Sequence, residues 1–310
     1  MNRQGGFVLV IVLVAVALLV SLVTVFISEV YLETGSTRSS LEITQGSLYA
    51  AAGITGAQRL LTTELGNRSY SSLTDTWAAP LMIADPQGQG ALRVTIVEEN
   101  GKLNLNAIAL PNGTLNQGYY EIGQRLFRVL KLPMDPLDAV ADWVDEGDTP
   151  HPGGAEISWY QGLKQPYRPR NKPLVTLEEL KRVKGMAELF TAVSPFVTVY
   201  GDLPAGSPAA PININTAPKE LLMALDDGIN EALAQRIIDH RTEMPFKHPA
   251  ELGQVPGMAQ ITTGLLTRIS AKGSVFRIRS EGMMNNVIRG IEAVVRVNGS
   301  NTSVLYWREY

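Results

Sequence analysis

The sequence predicts an α+β protein in which one long N-terminal helix packs on an antiparallel sheet, with a large helical domain inserted between the sheet's early and late strands. Three features predict it. An uncharged run near the start passes into a stretch of helical spacing. Segments of β character follow that stretch and return at the far end of the chain. Residues 108–270, between them, are rich in helix and turn signals.

Residues 1–6 form a short basic leader, and Phe7–Ser28 follows without a charge. As a helix, the 21 residues Phe7–Ile27 extend ~32 Å, matching the ~30 Å hydrocarbon core of a bilayer. Residues 7–28 are therefore expected to span a membrane. Arg3 precedes the span and Glu29 and Glu33 follow it, which directs the N-terminus to the cytoplasm.

An ordinary secretory signal has a shorter apolar core followed by a small-x-small cleavage site. Here the small residues Gly5 and Gly6 come first. Gln4-Gly5-Gly6-Phe7 before an unbroken apolar helix resembles the type III signal of the type IV pilin superfamily. That resemblance implies that a prepilin peptidase cuts after Gly6 and methylates Phe7. Pilins carry a glutamate at the fifth mature position, where this chain has Ile11. In that family the carboxylate neutralises the N-terminal amine of the subunit ahead in the fibre. A buried carboxylate without such a partner is costly. Its absence fits a subunit with nothing ahead of it.

Beyond the span, Leu41, Leu48, Ile54, Leu60, Leu61 and Leu65 continue the helix, separated by small residues such as Gly46, Ala50, Gly53 and Ala57. Gly66-Asn67 is the expected stop. Leu92–Glu98 is rich in β formers, and Leu103–Asn106 is a second, shorter run. Residues 29–107 are thus expected to hold the rest of the helix and the first strands. At the far end, 271–310, Phe276 and Ile278 alternate with Arg277 and Arg279, and Ile291, Ala293, Val295 and Val297 share one face. A last strand is expected near Val304–Trp307.

The inserted domain carries a weak internal repeat. Leu103–Ala107 recurs in character as Ile212–Ala217, and the stretch ending in Asp142 and Glu146 recurs around Asp239 and Glu243. Glu179-Leu180, Val183 and Gly185-Met186 recur at the same spacing as Glu251-Leu252, Val255 and Gly257-Met258. Two related helical subdomains are expected, joined by a linker at Gly201–Pro208. Asn213 and Asn215 are expected to fix turns through local hydrogen bonds. The second copy resembles helix-hairpin-helix modules, some of which bind DNA. However, each hairpin keeps only the first glycine, and Ile212–Met258 holds four Lys/Arg against seven Asp/Glu. Phosphate binding needs positive charge, so nucleic acid is not an expected partner.

Asp135–Glu156 holds seven carboxylates and no Lys or Arg. Asp135 before Pro136 suits a helix N-cap, with Asp138 in the first turn. The remainder is loop by composition. Crowded carboxylates on a helix end and a Gly/Pro loop suit Ca²⁺, which takes six to eight oxygens in flexible geometry. A solvated acidic loop is the alternative, and no EF-hand pattern is present.

The whole chain has no cysteine, a net charge of −3 and three histidines, none in metalloprotease spacing. No nucleophile or phosphate-loop motif appears. Asp145 and Glu156 would be the carboxylate pair of a metal-dependent periplasmic hydrolase, the alternative from another class. The acidic run Asp142-Trp143-Val144-Asp145-Glu146-Gly147-Asp148 with Gly153-Gly154-Ala155-Glu156 resembles the signature of the protein K family of type II secretion systems. The leader, span, repeat copies and terminal strands extend that resemblance over nearly the whole chain.

The resemblance implies a pilin-like fold and a non-enzymatic minor subunit at the tip of the pseudopilus, anchored in the Gram-negative inner membrane with its bulk in the periplasm. It further implies other minor pseudopilins, the major pseudopilin, prepilin peptidase and the inner-membrane secretion platform as partners. By position it implies calcium at Asp145, Asp148 and Glu156, with Gly147 standing where an acidic residue is common. A tip minor pilin of a type IV pilus is the neighbouring alternative.

Overall fold

The computed structural model describes residues 4–85, 88, 90–201 and 210–310. Met1–Arg3 of the leader, and all but Gly201 of the expected linker, lie outside the described residues. Helix α1 (Gln4–Leu65) runs 62 residues without a break. From Gly6 to Leu41 every residue is exposed. The most apolar 18-residue stretch has a mean hydropathy of 3.3 and no buried residue. Packing begins farther along, where Gly46, Ala50, Gly53, Ile54, Ala57, Leu61 and Leu65 are buried. Those positions recur at helical spacing and form one stripe.

That stripe lies on a five-stranded antiparallel sheet. Its strands are β1 (Leu81–Ala84), β2 (Gly90–Glu98), β7 (Val275–Met284), β8 (Val287–Asn298) and β9 (Asn301–Glu309), adjacent in that order. Phe276, Ile278, Ile291, Ala293, Val295 and Val297 meet α1, as their alternation predicts. Trp77 closes the end of this core edge-on to Phe276, with centroids 5.2 Å apart. Strand β1 carries no sequence signal beyond its four apolar residues, and apart from half-buried Leu81 it is exposed at the sheet's edge.

Helix and sheet touch backbone to backbone at Gly46 and Gly282. A Cβ added at Gly282 would sit 2.0 Å from the Gly46 carbonyl oxygen, whereas one at Gly56 would meet nothing within 4 Å. No rotamer relieves a clash with backbone. Gly282→Val is therefore expected to cost at least 1–3 kcal/mol, roughly the overpacking range. Gly56→Ala should gain up to ~1 kcal/mol from helix propensity. Chemical denaturation of the two variants checks both, and equal stability would mean that the helix–sheet spacing is not limiting.

The insert occupies the connection between β2 and β7. Its elements are β3 (Leu103–Asn104), α2 (Gln117–Val129), α3 (Asp135–Val144), α4 (Ile157–Gln161), α5 (Met186–Val193), β4 (Val197–Thr198), β5 (Ile212–Asn213), α6 (Lys219–Ala224), α7 (Glu231–Glu243), α8 (Ala259–Leu265) and β6 (Ile269–Ser270). Leu103–Asn106 does not extend the main sheet, as its β character had suggested. Leu103 pairs in parallel with Val197, just as Ile212 pairs with Ile269. The insert thus begins just after Glu98, not at residue 108, because each copy is closed by its own two-stranded ladder.

The repeat extends to the hydrogen bonds of the first asparagine's Oδ1 and of the second asparagine's whole side chain. Asn104 Oδ1 accepts from the Asn106 amide, and Asn213 Oδ1 accepts from the Asn215 amide. Asn106 then bonds Leu174 N, Leu174 O and Val199 O. Asn215 does the same to Phe246 N, Phe246 O and Ala271 O. The first asparagine of each pair fixes the turn locally, as expected, but the second reaches across its copy. Leu180 and Leu252, and Met186 and Met258, are fully buried at matching places. Gly185 and Gly257 both have positive φ, 72° and 98°.

Two consecutive carboxylates at the end of β2 hold the insert to the sheet. Glu98 accepts from Ser71 Oγ at 2.6 Å, Asn213 Nδ2 at 2.7 Å and Thr216 Oγ1 at 3.0 Å, fastening the second copy. Burial pushes its carboxyl up to about 7. Glu99 receives the Thr198 hydroxyl of the first copy and pairs with Lys102 at 2.8 Å and Arg277 at 2.9 Å. Burial would raise its carboxyl too, but Lys102 and Arg277 outweigh it and hold it low. Lys272 Nζ also bonds the carbonyls of Leu65 and Arg68. The insert therefore sits at the C-terminal end of α1, which from Ile27 to Leu65 rises ~57 Å.

Candidate metal centre

The acidic segment is built from α3, the loop after it and the start of α4. Pro136 occupies the first turn of α3, but the residue at the cap position is Met134 and no side chain caps the helix. Asp135 is thus the first helical residue and does not act as the cap that its position suggested. Asp138 instead turns back on the loop, accepting from Gly153 N at 3.0 Å and from the Tyr120 hydroxyl.

Asp142 organises the loop. It is fully buried and accepts from the amides of His151 at 3.1 Å and Ala155 at 2.7 Å, and its Oδ1 lies 2.5 Å from His151 Nδ1. A Cβ on Gly154 would fall 1.8 Å from Asp142 Oδ2, so only glycine lets the chain close here. Sequence reading placed no role on Asp142. The pair Gly153-Gly154 was the available signal, since a loop that must pass close over a carboxylate needs residues without Cβ.

Of the three residues singled out for metal, Asp145 and Glu156 are buried and Asp148 is exposed. Asp145 ends α3 and accepts from Gly147 N at 2.8 Å. Ligand atoms of Asp142, Asp145 and His151 lie within 4.8 Å of one another, a grouping that includes neither Asp148 nor Glu156. All belong to one electrostatic cluster nonetheless. Burial first, then repulsion from Asp142, Asp145 and Asp148, pushes the Glu156 carboxyl up to about 7. Asp145 is raised for the same reasons, burial first and then Asp142 and Asp148.

Two oxygens here have no hydrogen-bond partner: Glu156 Oε1 and Asn171 Oδ1. They belong to adjacent side chains, since Asn171 Nδ2 donates to Glu156 Oε2 at 3.2 Å and to Gly147 O at 2.7 Å. Asn171 holds a positive φ of 44°, which asparagine tolerates better than most residues. Orphaned buried acceptors are rare and call for a reason. Oxygen donors, clustered and short of protons, fit a hard cation such as Ca²⁺. Asn171 escaped the sequence reading because it lies 15 residues beyond Glu156, in a basic stretch.

At the other end of the molecule, Gly6 and Phe7 lie in the first turns of α1, both exposed. The apolar start of α1, among the described residues, is the one helix long and apolar enough to cross a membrane.

An apolar helix that continues as the packed face of an antiparallel sheet defines a pilin-like subunit, here with a helical insert and an acidic loop. Comparison with known proteins gives the family. Two models described as type II secretion system protein K match residues 101–202 and 212–272, together just over half of the chain. The type II secretion system protein K of Pseudomonas aeruginosa is 26% identical over 314 residues, covering 95% of this chain and 91% of its own. That of Aeromonas hydrophila is 26% identical over 330 residues, covering 99% and 97%. A chain of the solved GspK–GspI–GspJ complex from the enterotoxigenic Escherichia coli type 2 secretion system superposes with a TM-score of 0.71. It is 25% identical and is covered to 99%, against 89% of this chain. The chain belongs to the protein K family, the minor pseudopilins of type II secretion.

Proposed function

We propose that this subunit leads the pseudopilus, anchored in the inner membrane of a Gram-negative bacterium with its head in the periplasm, and assists export of folded proteins. The observation that carries the reading is the place of the insert. It sits at the end of α1 far from the apolar segment, where a bulky head fits once at a fibre end but would crowd a repeating lattice. The similarity to a chain from the GspK–GspI–GspJ complex supports two other minor pseudopilins as its direct partners. The major pseudopilin, prepilin peptidase and the inner-membrane platform are the further partners, and nucleic acid is not among them. The role is assembly, not catalysis. Detergent extracts should yield this subunit with its minor partners at one copy each. Recovery of many copies along sheared fibres would overturn the tip position.

Processing follows from Gly5-Gly6-Phe7. Mass spectrometry of the membrane-extracted subunit should find N-methyl-Phe7 at the N-terminus, and Gly6→Val should leave the leader attached. Retention of Met1 in the unaltered chain would contradict it.

Ile11 gives an independent check on position. Ile11→Glu places a charge within the apolar run, at a cost of up to about 3 kcal/mol. With no amine ahead to meet it, the variant should assemble less well than the parent in a pseudopilus assay. A gain in assembly would place another subunit in front.

The acidic loop is proposed to hold Ca²⁺, with Asp145, Asp148 and Glu156 as carboxylate ligands and Asn171 Oδ1 as a neutral one. The unpartnered Glu156 and Asn171 oxygens support this reading. Asp142, already saturated by His151 and Ala155, shapes the loop. The ion would neutralise the mutual repulsion of the carboxylates and tie α3 to the loop.

A further inference from the structure

Past the acidic loop the charge reverses. From Lys164 to Lys184 there are seven Lys/Arg against two Asp/Glu, in a chain of net charge −3. Residues Gly162–Pro173 form neither helix nor strand, and Pro166, Pro169 and Pro173 punctuate them. Tyr167 seats this ribbon on the core against Tyr160 and Trp143, with ring centroids 5.3 and 6.4 Å away. Its hydroxyl donates to the carbonyl of Arg182, and Arg170 reaches Glu179 at 3.6 Å. The ribbon thus crosses the 3-10 turn Leu177–Arg182, which brings the stretch carrying Arg168 and Arg170 against the one carrying Lys181 and Arg182.

Only part of this charge is answered inside the molecule: Arg170 pairs with Glu179, Lys184 bonds the carbonyls of Gly153 and Gly154, and Lys181 lies 4.3 Å over the Phe190 ring. Lys164, Arg168, Lys172, Lys181 and Arg182 are exposed and, among the described residues, make no ion pair. This holds although the acidic loop is next door, where Asn171 touches Glu156 and the Lys172 amide donates to Trp143 O. Trp159, 38% exposed, lies beneath Lys184 beside the same segment. Arginine and tryptophan are enriched among the anchors of protein interfaces.

We propose that the ribbon Lys164–Lys172 and the Lys181–Arg182 edge form a docking surface for an acidic polypeptide segment. Its like charges repel one another until a partner's carboxylates meet them, and the prolines limit the entropy lost on binding. A membrane is not the occupant the fold favours. The surface belongs to the insert, which stands at the far end of α1, beyond the Debye length of ~8 Å from any headgroup by several-fold.

The test uses the full chain in zwitterionic micelles with fluorescent poly-L-glutamate as probe. Binding is expected at low salt and should weaken steeply as salt rises. Arg168→Glu with Arg182→Glu should lower affinity about tenfold or more. Arg59→Glu with Arg308→Glu, two exposed arginines elsewhere, should change it by less than about twofold. Lys164→Gln with Arg168→Gln leaves the 3-10 turn untouched and should still weaken binding, which separates lost charge from lost fold. Equal loss in the control pair, no binding at low salt, or tighter binding to duplex DNA or anionic vesicles than to poly-glutamate would overturn the proposal.

Discussion

Asn215→Ala should destabilise the second copy of the insert by roughly 2 kcal/mol or more, at 1–3 kcal/mol for each buried group left unpaired. Asn215 is 1% exposed, and its side chain satisfies Phe246 N and Phe246 O and shares Ala271 O with the Ser71 amide. Water cannot replace it without opening the core. Asn215→Asp should be no rescue, because an oxygen would then face the two carbonyl oxygens that Nδ2 now serves. Asn106→Ala, at the equivalent but half-buried position, should cost less. Thermal unfolding gives the total, and hydrogen exchange should place the opening within residues 212–272. A loss below about 1 kcal/mol for Asn215→Ala would mean that these bonds are readily replaced by solvent.

The parts of this fold written as periodicity were readable in the sequence. The continuation of the helix to Leu65, the alternation in β7 and β8 and the matched Glu-Leu, Val and Gly-Met positions each need only local spacing to be seen, although Leu41 and Leu48, read with the helix's apolar positions, are exposed. Features that depend on distant chain segments were not. Leu103-Asn104 has β character, but only the approach of Val197 decides that it pairs inside the insert. Glu98-Glu99 looks like the polar end of a strand, yet both are buried because two subdomains close over them. In the acidic segment, composition marked the stretch where carboxylates crowd, while the family resemblance implied Asp145, Asp148 and Glu156, of which Asp145 and Glu156 are buried and Asp148 is exposed. Neither could show that Asp142 is used up in closing the loop, or that Asn171 returns from the next segment to meet Glu156.

Calcium should stabilise the full chain in detergent micelles, by roughly 2.7 kcal/mol at a hundredfold excess over its dissociation constant. The loop's own side chains leave charge and acceptors unmet. Carboxylates of Asp145 and Glu156 are buried near Asp142 without a cation, and Glu156 Oε1 and Asn171 Oδ1 lack donors. Trp143, 2% exposed on α3 behind the loop, makes intrinsic fluorescence a suitable readout of melting. Magnesium should do less, since an irregular loop meets its strict octahedral geometry poorly. Asp145→Asn with Asp148→Asn should remove most of the calcium effect, and Asn171→Ala part of it. Asp135→Asn should leave it intact, whereas Asp142→Asn should destabilise the loop with or without calcium. The effect should also depend on pH. In the metal-free fold the Glu156 carboxyl is raised to about 7, above its ordinary 4.5, so the protonated form is favoured there. Its contribution to metal-free stability is present below pH 4.5 and is lost as pH rises toward 7. Calcium must displace that proton, so its stabilisation should be larger at pH 8 than at pH 6, with proton release on binding. Melting unchanged by chelation at pH 8, together with no calcium uptake in calorimetry, would leave the loop as an acidic surface held by Asp142 alone.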